Sequence, residues 1–225
     1  MPEPSTADLA TALDASVNER RLLDHPFYQA WSQGRLTRDD LAFYSTQYWR
    51  QVEAFPGHLE TLAGRLPEGN SRHIVVENLS DERDGDHPGL WKDFAAALGV
   101  GGTTLESAAS EAETSACVEA FRAAMQDGPV TYALGMLYGY ESQTPEVATT
   151  KIRGLRDHYG LQGGALDYFE LHAELDVEHA GELISALAPY AHEPGALDQA
   201  ASGARAGADA VWGLLDGVAR ARSIV

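Results

Sequence analysis

The chain has 225 residues, 44% of them hydrophobic, with 34 acidic against 16 basic side chains and a formal net charge of −18. That length is enough for one well-filled core, and that hydrophobic share argues against disorder. The acidic balance repels phosphate backbones and anionic lipid, so no nucleic-acid partner is expected, and without a run of 18 apolar residues no membrane span is expected either.

The opening MPEPSTADLATALD has no basic stretch followed by an apolar one and does not read as a signal peptide. A single cysteine, Cys117, excludes an intramolecular disulfide framework and fits a reducing compartment, so a cytoplasmic location is expected. Helical periodicity then dominates, and strand-like alternation is nearly absent. Residues from about 5 to 34 form one or two helices closed by Gly34, and a long segment follows over about 37–65, in which Pro56 must kink or interrupt the helix. Next come a helix over about 70–83, the turn DGDHPG, and a shorter helix LWKDFAAALG stopped at Gly99. VGGTTLESAASEAE has the weakest periodicity and reads as a loop or short helix. Further helices are expected over about 112–127, 129–142, 145–159, 164–189 and, through an Ala/Gly-rich stretch, 195–222. The breaks are short, so the whole of 1–225 is expected to be one all-α helical domain.

The strongest chemical signal is HAELDVEH, which spaces His172, Asp176 and His179 at i, i+4 and i+7. Those positions fall within about 60° of one another around a helix, so two imidazoles and a carboxylate share one face. This set suits Fe, Mn or Zn, although the same residues among Glu170, Glu174 and Glu178 would also suit a plain surface helix. Glu82 and His87 would diverge by about 140° on one unbroken helix, but Gly85 and Pro88 break it between them. Glu141 ends an apolar and aromatic run, MLYGYES, where a carboxylate facing the core needs a partner or a metal. Three carboxylates and three neutral imidazoles nearly balance two divalent cations, and inward ligands from several helices are how bundles build dinuclear centres.

Four stretches carry a wider resemblance: LLDHPFYQAWSQGRLTRDDLAFYSTQYWRQVEAFPGHL, ENLSDERDGDHPGLWKDFAAALG, YGYESQTPEVATTKIRGLRDHYG and DYFELHAELDVEHA, together spanning roughly 22–182. In that order they resemble the haem-oxygenase-like (TenA/PqqC-like) diiron oxidases, in the branch typified by the chlamydial protein associating with death domains. The resemblance implies a haem-oxygenase-like helical bundle and puts Glu82, His87, Glu141, His172, Asp176 and His179 on family ligand positions. The turn between Glu82 and His87 is about two residues shorter than the family's, with Asp81 or Asp86 as a stand-in ligand. This branch is similar to the self-sacrificing 4-aminobenzoate synthases of folate biosynthesis. The likeness implies two divalent metals (Fe/Fe or Fe/Mn), O2 as co-substrate, an external reductant or electron donor, and a homodimer. It also implies an internal tyrosine as source of the ring and a lysine as source of the amino group. Tyr28, Tyr44 and Lys151 match those positions, and Tyr140 matches an aromatic position near the metal.

Lys151 stands out independently. The chain has fourteen arginines and only two lysines, Lys92 and Lys151, and a lysine is kept over arginine where a neutral amine must form. Tyr48, Tyr132 and Tyr138 are expected as core or lining residues, Cys117 as a small buried side chain, and His25, His58, His73, His158 and His192 as surface or capping residues. Three other readings compete. A TenA-type enzyme would need a cysteine nucleophile in the YGYES segment, well after Cys117; a cofactor-free PqqC-type oxidase would not need the six ligands. A non-enzymatic interaction protein would need a groove or apolar stripe. Within the dimetal reading, an external fatty acid or amino acid is the alternative substrate, and a fatty acid would demand a long apolar tunnel.

Overall fold

The structure, a computed structural model, describes residues 6–225. The first five residues, part of the opening MPEPSTADLATALD and of the 5–34 segment considered above, lie outside it. Among the described residues every regular element is helical. Helices α1 (Thr6–Asn18), α2 (Pro26–Ser32) and α3 (Arg38–Arg65) are followed by α4 (Asn70–Asp84), α5 (His87–Ala97) and α6 (Gly102–Ser107). The second half holds α7 (Ala112–Asp127), α8 (Val130–Glu141), α9 (Thr144–Tyr159), α10 (Asp167–Leu187) and α11 (Ala196–Arg222). Short 3-10 turns precede α2 and flank α10.

Local chemistry explains the boundaries. Thr37 opens α3 through a capping box, in which its side chain accepts from the Asp40 amide and the Asp40 carboxylate accepts from the Thr37 amide. The helix then runs unbroken through Pro56, so the expected interruption does not occur. Proline removes one backbone donor, and the buried stripe from Leu41 to Leu62 on either side holds the remaining ladder in place. The fifth helix starts three residues earlier than its sequence pattern, at His87, because Asp86 adopts a left-handed conformation (φ 47°, ψ 45°) and caps Gly89.

The last helix is regular for a reason that its composition disguises. A Cβ on Gly135, Gly139, Gly203 or Gly207 would collide with a backbone carbonyl of the facing helix, so α8 and α11 pack backbone to backbone. Helix α8 is buried along nearly its whole length, enclosed by α7, α9, α10 and α11, while α3 packs across α4, α5 and α7. This arrangement points the carboxyl end of α8, with Glu141, at α4 and α10.

One histidine expectation needs correction, and another holds in an unexpected setting. His58 is neither at the surface nor a cap: it stacks on Phe121 inside the α3–α7 interface, and burial, with Arg122 nearby, pushes its pKa down to about 4. His25 does cap α2, accepting from the Phe27 amide, but it is fully buried and its other ring nitrogen meets Asp216 at 3.1 Å. His58 lies on the core-facing register of α3 and His25 in the buried turn before α2, positions that a lone histidine in a sequence does not disclose.

Candidate active site

All nine residues singled out from the sequence are buried, in two adjoining groups. The first gathers acids and imidazoles from α4, α5, α8 and α10. Ligand atoms of Glu82, His87 and His172 lie within 4.8 Å of one another. The shortened turn permits this because Gly85 closes α4: a Cβ there would sit 2.7 Å from His87 Nε2 and 2.8 Å from the Asp81 carbonyl. His87 Nδ1 approaches Glu82 Oε1 to 3.0 Å but off the line that an N–H would need, so it has ion-pair distance without a hydrogen bond.

Hydrogen bonds fix the imidazole faces. A carbonyl only accepts, so His172 Nδ1 must donate to Tyr168 O at 2.7 Å, and Nε2 is the atom left facing Glu82 Oε1 at 3.9 Å. By the same logic His179 Nε2 donates to Asp81 Oδ2 at 3.1 Å, leaving Nδ1 toward Asp176 Oδ1 at 3.5 Å. Glu141 accepts from Asn78 Nδ2 at 2.9 Å through one oxygen, and its other oxygen is buried with no partner.

The charges are those of a cation site. Burial favours neutral Glu82, yet the interactions with His172 and His87 outweigh it and hold its carboxyl down at about 2. Burial and the neighbouring Asp176 push Glu141 up to about 8. Burial opposes charge on His179 too, but Asp176, Glu141 and Asp81 raise it to about 10. In the metal-free chain protons on imidazole therefore offset the excess of carboxylate. An orphaned carboxylate oxygen, a misaligned Glu82–His87 contact and imidazole nitrogens facing acids together fit a set of metal ligands.

The second group lies between α2, α3 and α9. Lys151 Nζ donates to Tyr44 Oη at 2.8 Å, and Tyr44 Oη lies 3.4 Å from Tyr28 Oη. The ammonium position is caged by the rings of Tyr28 (5.0 Å), Tyr48 (5.0 Å), Tyr44 (5.2 Å), Phe169 (5.3 Å) and Trp31 (5.9 Å). Lys151 forms no ion pair with a carboxylate in that cage. Ring faces attract a cation only weakly compared with lost hydration, and burial pulls the lysine pKa down to about 7. Burial raises Tyr28 and Tyr44 well above the usual phenol value, so both stay neutral.

One small, largely enclosed cavity joins the groups. It holds about 20 Å³ and is lined by Tyr28, Lys151 and His172, with Tyr48, Tyr140 and Tyr168 among the remaining walls. That is room for about one water-sized molecule. Tyr48 donates to Tyr140 at 3.1 Å, and Tyr168 stacks on His172 at 4.1 Å, so phenols line the cavity between the imidazole of His172 and the lysine.

Three contributors were not singled out as such. Asn78 holds Glu141, Tyr168 orients His172, and Asp81, read as a stand-in ligand, instead hydrogen-bonds His179 from outside. Asp86, the other stand-in, is used up as a helix cap. A signal existed for two of them, since Asn78 and Tyr168 stand four residues before Glu82 and His172 on the same helix faces. Lys92 is half-buried and paired with Glu106. Cys117 is buried and its thiol is pushed up to about 12, which removes it as a nucleophile. Large exposed hydrophobics among the described residues are Val76, Val177 and Val225, and no described helix is long and apolar enough to cross a membrane.

Comparison with known proteins agrees with this chemistry. A family described as iron-containing redox enzymes matches residues 42–212. The chain is 34% identical to the 4-aminobenzoate synthase of Nitrosomonas europaea, over 92% of this chain and 89% of that protein. It is 38% identical to the 4-aminobenzoate synthase of Chlamydia muridarum, over 76% and 73% respectively. A TenA homologue from Pseudomonas syringae pv. tomato shares the fold, with a TM-score of 0.83, 16% identity, and coverage of 97% of this chain and 94% of that one.

Proposed function

The chain belongs to the haem-oxygenase-like family of iron-containing redox enzymes, and from that premise we propose that it is an oxygen-activating dimetal oxidase that makes 4-aminobenzoate from its own side chains. Glu82, His87, Glu141, His172, Asp176 and His179 would hold two divalent metals, Fe/Fe or Fe/Mn. When bound, such a centre supplies the oxidising power for the reaction, with O2 as co-substrate and an external reductant. In this reading the protein acts in the cytoplasm as a homodimer.

One observation carries the choice of substrate: Lys151, Tyr28 and His172 line a single, largely enclosed cavity of about 20 Å³. Pockets for external ligands of drug size run to about 300 Å³ and more, so this space suits a diatomic co-substrate and not a fatty acid. A surface groove also touches His179, but its other walls include Glu77, Asp81, Glu178 and Glu182, a lining that repels the carboxylate of a fatty acid or amino acid; within the cavity itself, what His172 faces is protein. Lys151, with its pKa near 7, presents a lone pair on nitrogen in a good fraction of molecules at neutral pH. Tyr44 accepts the lysine hydrogen bond and relays to Tyr28, so each phenol is held at a fixed distance from the amine. Phe169, Trp31 and Tyr48 exclude water from the amine, which keeps it from being solvated as an ammonium. Both rings stand at about the same distance from Nζ, so either is placed to supply the aromatic skeleton.

The test is growth of a strain unable to make 4-aminobenzoate, with the chain supplied on a plasmid. Restoration is expected from the wild type and not from Lys151→Arg, whose longer, permanently charged head cannot offer a neutral amine. Lysine labelled with 15N on its side chain should yield labelled product, and peptide masses of the spent protein should show which of Tyr28 and Tyr44 is altered. Product formed without label, or a spent chain with both tyrosines intact, refutes the internal-substrate reading. About two metals per chain are expected by elemental analysis.

A further inference from the structure

On the opposite side of the α2–α9 wall from the enclosed cavity, a surface groove of about 290 Å³ is lined by Gln29 and Ser32 of α2 and by Thr150, Arg153, Gly154 and His158 of α9. The two helices carry the reactive group on their inner faces and this groove on their outer ones: Tyr28 and Lys151 point in, while their neighbours Gln29 and Thr150 point out. The wall is thin. A Cβ on Gly154 would lie 2.6 Å from Trp31 Cδ1, and Trp31 Nε1 donates to the Lys151 carbonyl at 3.2 Å. Helix α2 is a short flap of seven residues whose end is held to α9 by His158 Nε2, 3.2 Å from the Ser32 carbonyl.

The groove carries an unused cation. Thirteen of the fourteen arginines make hydrogen bonds or ion pairs, whereas Arg153 makes neither with any of the described residues. In a chain with a net charge of −18, a free guanidinium in a concavity is an uncommitted site for an anion. Chemistry supplies a reason for one. A carboxylate produced beside Lys151 stands among aromatic rings, where an unpaired anion is strongly disfavoured.

We propose that this groove is the exit subsite for the product, binding a small aromatic carboxylate with its carboxylate on the Arg153 guanidinium once it has passed between α2 and α9. The inference rests on the synthase reading for the identity of the ligand, and its test does not require the reaction. The full-length metal-free protein is titrated calorimetrically with 4-aminobenzoate and with neutral 4-aminobenzamide as probes. The acid should bind and the amide should bind about tenfold more weakly, the ratio expected for a charge-assisted pair. Arg153→Gln should bind both probes equally weakly, and Arg153→Lys should keep part of the preference. Because Arg153 is exposed and has no partner among the described residues, the variants are expected to fold as the wild type does, checked by their melting temperatures. Equal binding of acid and amide by the wild type, wild-type affinity in Arg153→Gln, or no binding at millimolar acid overturns the proposal. A metal-loaded chain that makes no 4-aminobenzoate, with acid binding intact and dependent on Arg153, sinks the synthase reading while supporting a carboxylate site in the groove.

Discussion

Replacing Lys151 by methionine should stabilise the metal-free protein at and below neutral pH, the reverse of the usual result for a buried residue. Lysine has an ordinary pKa of 10.5, and burial brings it down to about 7. At 1.36 kcal/mol per unit, holding the ionisable group in that cage costs about 5 kcal/mol where both states are protonated, which is below pH 7. Between pH 7 and 10.5 the unfolded chain carries the proton and the folded one does not. The unfolded state therefore binds more protons, and stability rises with pH by up to about 1.4 kcal/mol per unit. Methionine is of similar length and uncharged, and it loses the hydrogen bond to Tyr44, worth about 1 kcal/mol. Lys151→Met should thus exceed wild type by roughly 4 kcal/mol at pH 6, with the gap closing to roughly 1 kcal/mol by pH 9. Urea unfolding of both metal-free proteins across that range measures it. A gap that does not change with pH, or a variant less stable than wild type at pH 6, would refute the claim that Lys151 is a desolvated, half-neutral amine.

Asp81→Ala removes the outer carboxylate that sets the His179 ring, and metal affinity should fall by about tenfold to a hundredfold in a chelator competition; unchanged affinity would show that Asp81 is a bystander. Gly203→Ala places a methyl group against the Tyr132 carbonyl at the α8–α11 contact and should cost about 2 kcal/mol or more, read as a lower melting temperature. His25 is held neutral by burial while the unfolded chain takes up a proton near pH 6.5, so wild type should lose stability as pH falls through that value. His25→Asn keeps an acceptor at the start of α2 and should flatten the acid side of a melting curve series from pH 7.5 to 5. An identical acid slope in that variant would mean that another group is responsible.

Much of the helical layout was legible in the sequence because it depends on local spacing. Residues 112–127 and the boundaries near 70, 144 and 222 follow from apolar periodicity with Gly and Pro stops, and i, i+4, i+7 spacing alone puts His172, Asp176 and His179 on one face. The scarcity of lysine likewise marked Lys151 without any knowledge of its surroundings. Where a local rule met tertiary packing it gave way at one point, since Pro56 did not interrupt α3, while the Ala/Gly stretch at the end of the chain formed the expected helix, 27 residues long. Its glycines weaken an isolated helix but let two backbones touch. Other features were settled only by tertiary contacts. Tyr44 and Lys151 are 107 positions apart and meet at 2.8 Å, Asn78 reaches Glu141 across 63 positions, and the cavity between them is small because rings from α2, α3, α8 and α10 converge on it. Composition and periodicity specify which face of a helix is apolar; which other face it meets, and therefore whether a lysine there is solvated or caged, is decided by long-range packing.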